Sequence, residues 1–319
     1  MIVTVTLNAA IDRTLTVPNF QRGHRHRASE GLTLAGGKGI NIARALKRLD
    51  VPVVATGLAG GRTGTRIVEE LTAEAILNDF VRIVAESRTS TSVVDPTSGS
   101  YTEINEWGPD VDADELEILR EKLQYLSRGA SAVVFAGTLP RGVEEGFYGE
   151  AIRELNRRGV ETILDSEGQP LRLGTEAEPF LVLPNHGEAE ALVGQEFDGD
   201  EDFLMALDAI AEMGARNVII THDSGCFARF REERRVRRAR VLAPRVEALA
   251  PAGSGDVLLA GFLAARFGGA AIEDALRNAV AAGAVSTLQV GAGRFEPREV
   301  ARVAADVRFE ELEPVGSEG

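Results

Sequence analysis

DELEILREKLQYLSRGASAVVFAGTLPRGVEEGFYGEAIRELNRRGVETILD, residues 114–165, decides the architecture. Leu116, Leu119, Leu123 and Leu126 recur at three- and four-residue steps, which predicts an amphipathic helix over Asp114–Ser127. Ala132–Ala136 is a short unbroken apolar run and reads as a strand buried on both faces, closed by Gly137-Thr-Leu-Pro140. Gly146–Arg158 returns to helical spacing, and Thr162–Asp165 is again a strand. A strand, a crossover helix and a second strand form one right-handed unit, whose two strands lie parallel under covering helices. The fold class is therefore α/β, with a central, mostly parallel sheet.

The alternation extends on both sides. Downstream, Leu181–Leu183, closed by Pro184-Asn185, and Asn217–Thr221, closed by His222-Asp-Ser-Gly225, read as strands. Glu188–Val193 and Phe203–Met213 read as helices. Arg229–Arg240 is so rich in arginine that a solvent-facing hairpin is expected. Upstream, residues 2–7 alternate and β-branch into a strand ending at Asn8-Ala-Ala-Ile-Asp12. Val51–Gly57 is a second core strand, followed by a glycine-rich loop, Gly57–Gly64, and a helix, Arg66–Ala75. Asp79–Val84 and Thr89–Asp95 read as strands, and Ser98-Gly99 as a hairpin turn into Tyr101–Glu106. Residues 13–34 hold β pieces at Thr14–Val17 and Ala28–Leu34 around a basic knot, Arg22–Arg27. We group them with residues 87–106 as one small separate sheet. Residues 310–319 are acidic, carry Gly and Pro, and are expected to fray.

Bulk properties bound the function. The chain has 319 residues, 44% hydrophobic and 26% charged, with formal net charge −14. That suits a single globular α/β domain and argues against nucleic acid or anionic membranes as partners. One cysteine, Cys226, excludes a disulfide framework. The four histidines (24, 26, 186, 222) lack metal-hydrolase spacing, and Gly-x-Ser-x-Gly is absent. The N-terminus reads as a strand, not a signal peptide, so a cytoplasmic location is expected. Lysine occurs only at 38, 47 and 122 among 35 basic residues, which singles out Lys38 in its glycine cluster.

Three segments can carry chemistry. Asp12 follows a strand, where ligands of open α/β sheets bind, and would accept hydrogen bonds from a polyhydroxyl ligand; as a turn residue it would merely satisfy its own backbone. Ala35-Gly-Gly-Lys-Gly-Ile-Asn-Ile-Ala43 is neither a Walker loop nor a dinucleotide fingerprint, yet its glycines admit a ligand to which Lys38 and Asn41 can donate. Ala248-Leu-Ala-Pro-Ala-Gly-Ser-Gly-Asp256 opens a helix carrying Val257, Leu258, Phe262 and Leu263. The free amides of Gly253, Ser254 and Gly255 at that N-terminus form an anion site, beside which Asp256 could take a proton from an attacking hydroxyl. The plainer reading is a glycine-rich turn with Asp256 as a helix cap.

Taken together, six motifs resemble, in order and spacing, those of the ribokinase-like carbohydrate kinases, phosphofructokinase-B branch. They are Thr6–Asp12, Gly36–Arg44, Thr102–Glu106, Gly137–Pro140, Asn185–Glu188 and Gly253–Asp256, and the likeness runs from residue 3 to about 300. The resemblance implies a three-layer α/β/α domain spanning 1–319, with a β-sheet lid formed by about 13–34 and 87–106. It implies Mg²⁺- and ATP-dependent phosphorylation of a ketohexose phosphate, fructose 1-phosphate foremost, with tagatose 6-phosphate and fructose 6-phosphate as alternatives. A kinase of an unphosphorylated sugar or nucleoside and a non-catalytic sugar-phosphate binder are the remaining readings. By the same resemblance Asp256 is the general base, and the amides of Gly253, Ser254 and Gly255 hold the moving phosphoryl group. Asp12, Gly37 and Asn41 bind the sugar; Arg27, Lys38 and Arg88 hold its existing phosphate, for which several cations make sense. Asn185 and Glu188 organise Mg²⁺, Glu188 through water, and Thr221, Ser224, Gly225 and Asn278 contact the nucleotide. The lid would exclude water and pair with a second copy to give a homodimer. Four departures stand out: Ser254 for the usual Ala, Leu183 for a Lys, Ser90 for an Asn, and a short Thr221–Gly225 loop carrying His222-Asp223.

Overall fold

The computed structural model describes residues 1–232 and 235–313. From the N-terminus, β1 (Ile2–Thr6), β2 (Ala10–Thr16) and β3 (Glu30–Gly36) lead to α1 (Lys38–Arg48). Next come β4 (Val53–Gly60), α2 (Gly61–Ala73) and β5 (Leu77–Ile83), then β6 (Arg88–Asp95) and β7 (Ser100–Asn105). The alternating stretch supplies α3 (Ala113–Ser127), β8 (Ala132–Ala136), α4 (Phe147–Arg157), β9 (Glu161–Asp165) and α5 (Gly168–Thr175). It continues as β10 (Leu181–Val182), α6 (His186–Val193), α7 (Asp200–Met213) and β11 (Val218–His222). The last described elements are β12 (Gly225–Glu232), β13 (Arg235–Leu242), α8 (Ser254–Phe267), α9 (Ile272–Ser286), α10 (Pro297–Ala304) and β14 (Arg308–Leu312).

The main sheet has ten strands in the order β14-β13-β12-β11-β10-β9-β8-β1-β4-β5. From β11 to β5 neighbours run parallel; β12, β13 and β14 add an antiparallel edge. β1 is buried at all five residues, because helices cover both faces. Its alternate side chains enter two different cores. Ile2 joins Ile40, Leu46, Val257 and Leu276 on the side of α1, α8 and α9. Val3 and Val5 join Leu119, Tyr148, Ile152 and Leu207 on the side of α3, α4 and α7. The chain leaves β1 toward β4 and β5, and later returns beside it to build β8 and beyond. The reversal puts a switch point between β1 and β8, where such sheets open a crevice at their carboxyl ends.

A second sheet, β3-β2-β6-β7, stands apart. It is antiparallel except between β2 and β6. Its cleft end is where Ala10 faces Gly36 and Arg88; its far end is where Thr16 faces Glu30.

Three expectations need correction. Residues 57–64 are not a loop: β4 runs on through Gly60 and α2 begins at Gly61. The glycines mark close approach instead, since a Cβ on Gly60 would lie 1.8 Å from the Ala85 carbonyl oxygen. The basic hairpin is not simply solvent-facing: Phe230 and Ala239 are buried, and Arg229 and Arg238 converge on Asp208. Residues 310–312 are not frayed but belong to β14, paired to β13; the rest of that stretch, beyond 313, lies outside the described residues.

Gly57 sits opposite Thr6 in the β1–β4 ladder with φ +143°, and a Cβ there would lie 1.9 Å from the Thr6 carbonyl oxygen. Both obstacles are backbone, so neither can swing away. Gly57→Ala is expected to cost about 3 kcal/mol or more, read from the midpoint of denaturant unfolding. A midpoint equal to that of the parent chain would refute the assigned register.

Candidate active site

A cleft of about 1530 Å³ follows the carboxyl ends of the parallel strands and runs under the small sheet. Single-ligand pockets usually measure about 300–1,000 Å³, so this one has room for two ligands side by side. At one end Asp12, Ser90, Tyr101, Glu103 and Asn105 line it from the small sheet; at the other, Thr221 to Gly225 form the rim.

The amino end of α8 faces the middle of the cleft. Gly253 caps it with φ 77°, in the left-handed region, and a Cβ would meet that of Ala292 at 2.7 Å. No side chain caps this end among the described residues, so the amides of the first turn remain available to an anion. Asp256 lies in the same turn, 5% exposed, and its Oδ2 accepts from Asn41 Nδ2 at 2.9 Å. Burial, then the charge of Asp165, push the Asp256 pKa up to about 7 against the opposing pull of Lys38 and Asn41. A carboxylate that holds its proton this strongly is matched to general-base work near neutral pH.

Lys38 opens α1 after Gly37, whose φ is 109°. Its Nζ lies 2.6 Å from Asp165 Oδ1 and 3.6 Å from Glu188 Oε1, with the side chain 35% exposed. Burial opposes its charge, but Asp165, Glu188 and Asp256 outweigh it, and the ammonium pKa stands above its ordinary value. Arg88 occupies a different neighbourhood. Its Nε donates to the Asn8 carbonyl at 3.2 Å and its Nη1 to Asn105 Oδ1 at 3.2 Å, with Asp12, Glu103 and Glu106 as the nearest charges. Burial pushes Asp12 up to about 6, while Arg88 pulls it down. A Cβ on Gly36 would collide with that carboxylate at 1.9 Å, so this glycine makes room for Asp12.

Asn185 and Glu188 form a reciprocal capping box on α6: Glu188 N donates to Asn185 Oδ1, and Asn185 N to Glu188 Oε2. Burial raises the Glu188 pKa and Lys38 lowers it. Among the described residues no three His, Cys, Asp or Glu side chains converge into a metal cage. The oxygen donors of Glu188 and Asp165, two carboxylates facing one ammonium, nonetheless fit a hard divalent ion that keeps most of its water.

The structure therefore brings Asp12, Gly37, Lys38, Asn41, Arg88, Asn185, Glu188, Thr221, Ser224, Gly225, Gly253, Ser254, Gly255 and Asp256 to one cleft. Arg27 and Asn278 are not among the residues lining it. Arg27 is exposed on the segment joining β2 to β3, at the far end of the small sheet. Asn278 donates to the Asp274 carbonyl within α9, before the part of that helix (Val280, Gly283, Ala284) that, with Thr287 at its C-cap, does line the cleft. Leu183 is core, and His222 packs on Phe203 and Phe227 at the rim. Among the cleft residues with no role assigned from sequence are Asp165, Asn8 and Glu103, although Asn8 and Glu103 stand in two of the six motifs. Asp165 ends a buried strand, the same signal that marked Asp12. Asn8 joins the small sheet to the large one through Thr138 Oγ1 and the Trp107 carbonyl. Glu103, within the Thr102–Glu106 motif, sits on β7, an exposed strand. Among the described residues no helix is long and apolar enough to cross a membrane.

Comparison with known proteins agrees with this arrangement. The 1-phosphofructokinase of Borreliella burgdorferi is 33% identical over 312 residues, covering 98% of this chain and 99% of that one. The tagatose-6-phosphate kinase of Staphylococcus epidermidis is 29% identical over 302 residues, covering 92% and 94%. Phosphofructokinase-2 from Escherichia coli, solved in complex with substrates and products, superimposes with a TM-score of 0.87 at 27% identity, covering 96% of this chain and 98% of that chain. The family model for pfkB family carbohydrate kinases matches residues 2–299. With motifs, topology, cleft and relatives in agreement, the chain belongs to the pfkB family of carbohydrate kinases.

Proposed function

We propose that the chain transfers the γ-phosphoryl group of ATP to a hydroxyl of fructose 1-phosphate, giving fructose 1,6-bisphosphate and ADP. The observation that carries this reading is Asp256, with its proton affinity tuned near neutrality, in the first turn of an uncapped helix and in one cleft with Lys38 and Arg88. The acceptor hydroxyl passes its proton to Asp256 as its oxygen bonds to the γ-phosphorus. The bond from that phosphorus to the β,γ-bridging oxygen breaks, and the amides of Gly253, Ser254 and Gly255 hold the charge on the phosphoryl oxygens.

Arg88, among the polar side chains of the small sheet, suits the phosphate already on the substrate. Lys38, which feels both Asp256 and Glu188, suits the phosphoryl group in flight. Asp12, Gly37 and Asn41 suit the sugar hydroxyls, and Thr221, Ser224 and Gly225 the nucleotide. Asn278 and Arg27 would reach their ligands only through movement or a second copy. Mg²⁺, held by the nucleotide phosphates and through water by Glu188, would offset triphosphate charge. The small sheet acts in this reading as a lid, and its β7 edge, with exposed Ile104, as the seat of a homodimer. A cytoplasmic setting, where ATP and sugar phosphates are retained, goes with it.

Fructose 1-phosphate is preferred because the full-length relative at 33% identity is a 1-phosphofructokinase. Tagatose 6-phosphate is the second reading, from the relative at 29%. An ADP-release assay with Mg·ATP against fructose, fructose 1-phosphate, tagatose 6-phosphate and fructose 6-phosphate tests both. Steady turnover on fructose 1-phosphate, with kcat/KM at least about tenfold above the other phosphates and fructose near background, is expected. Equal rates on fructose would remove the role of the substrate phosphate, and no turnover on any acceptor would leave a binding protein.

A further inference from the structure

Arg44 closes the Gly36–Arg44 motif without a ligand assigned to it; it is a buried guanidinium with a side chain 3% exposed. Every N–H it has is used. Nε donates to Glu74 Oε2 at 2.6 Å and Nη2 to Glu74 Oε1 at 2.8 Å, a bidentate pair. Nη2 also donates to the Ala35 carbonyl at 2.7 Å. Nη1 donates to Asn41 Oδ1 and to the Ala292 carbonyl, each at 3.3 Å. A charge buried at this depth persists only when so completely paired.

Two of these bonds lead to the reacting centre. A guanidinium has donors and no acceptor. Facing Arg44, the Asn41 amide must therefore present its oxygen, and its NH₂ is left to donate to Asp256 Oδ2 at 2.9 Å. Turned the other way, the amide would set NH₂ against the guanidinium and oxygen against the carboxylate, two repulsions in place of two bonds. Ala292 is also the residue whose Cβ would meet a side chain on Gly253, so the bond to its carbonyl braces the wall behind the amide nest.

We propose that Arg44, anchored by Glu74, is a positioning residue for phosphoryl transfer: it sets the Asn41 amide that holds Asp256 and steadies the Ala292 loop behind Gly253. This rests on the reading of Asp256 as the base. Lysine at 44 keeps the charge opposite Glu74 but cannot serve five acceptors as a planar fork does.

The test compares Arg44→Lys, Glu74→Gln and Asp256→Asn in the full chain with Mg·ATP and fructose 1-phosphate, following kcat, KM and the pH profile per unit of folded protein. Arg44→Lys is expected to lower kcat about 10- to 100-fold with the KM for ATP within about twofold. Losing the Asn41 donor disfavours the ionised carboxylate, so the acid limb of kcat moves to higher pH. Asp165, Lys38 and Asp12, the other charges facing Asp256, are untouched by these substitutions. Glu74→Gln, at the half-exposed end of the chain of contacts, is expected to shift the limb in the same direction by less, and it carries the test if Arg44→Lys does not fold. A purely structural Arg44 would lower the melting temperature and leave kcat and the limb of the folded fraction alone; that result, with Asp256→Asn inactive, overturns the proposal. A fully active Asp256→Asn would instead overturn the base assignment beneath it.

Discussion

Asp256→Asn is expected to lower kcat by about 10²- to 10⁴-fold, the usual contribution of a positioned general base, with the KM of both substrates changed by no more than a few-fold. The amides of α8, Lys38 and Arg88 all remain, so binding survives while the proton loses its acceptor. The parent enzyme should show a kcat/KM that rises with pH through about 7, because Asp256 must be ionised to act and burial pushes its pKa to that value. The substitution should abolish this limb in whatever activity is left. Stability gives an independent check. The folded-state pKa lies above the ordinary aspartate value of 3.8, so between about 4 and 7 the folded chain binds the proton more tightly than the unfolded one. This residue's contribution to stability therefore falls as pH rises through that window. The Asn variant should lose that slope in denaturant titrations; a parent-like kcat in the variant would dismiss Asp256 as the base.

Lys38→Met is expected to lower kcat/KM by about 10²- to 10³-fold, the loss seen when one donor to developing charge is removed from a preorganised site. Its partition between constants reads out the role. If Lys38 neutralises the phosphoryl group in flight, as its contacts with Asp165 and Glu188 suggest, the loss falls mostly in kcat. If it holds the phosphate already on the sugar, the loss falls in the KM of fructose 1-phosphate, and a phosphate-free acceptor is unaffected. The substitution also frees two carboxylates that the ammonium had paired, so the limb assigned to Asp256 should move up in pH. Steady-state kinetics over pH 5.5–9 with both substrates varied would separate these outcomes; an unchanged kcat/KM would remove Lys38 from the chemistry.

Local periodicity carried far in this chain, because helices and buried parallel strands are specified by short-range patterns. The leucine spacing of residues 114–127 and the apolar run at 132–136 suffice for α3 and β8. The turn at Gly253 announces α8, since φ 77° and open amides are properties of the loop itself. The glycines at 57, 60 and 64 misled for a physical reason. A glycine needed where backbones nearly touch looks, in one dimension, like a glycine needed for a turn. Residues 308–312 were likewise opaque, because an edge strand's pairing with β13 leaves no apolar alternation in its own sequence.

The candidate site divides along the same line. Asp12, Lys38, Asn41 and Asp256, all of which line the cleft, could be singled out by residue type beside glycines and strand ends, since those signals are local. That Lys38 pairs with Asp165 across 127 residues, that Asn41, bonded to Arg44, reaches Asp256 across 215, and that Arg27 and Asn278 lie off the cleft depend on how strands order themselves in a sheet. Strand order is set by burying both faces of β1 under distant helices, and no short segment contains that information.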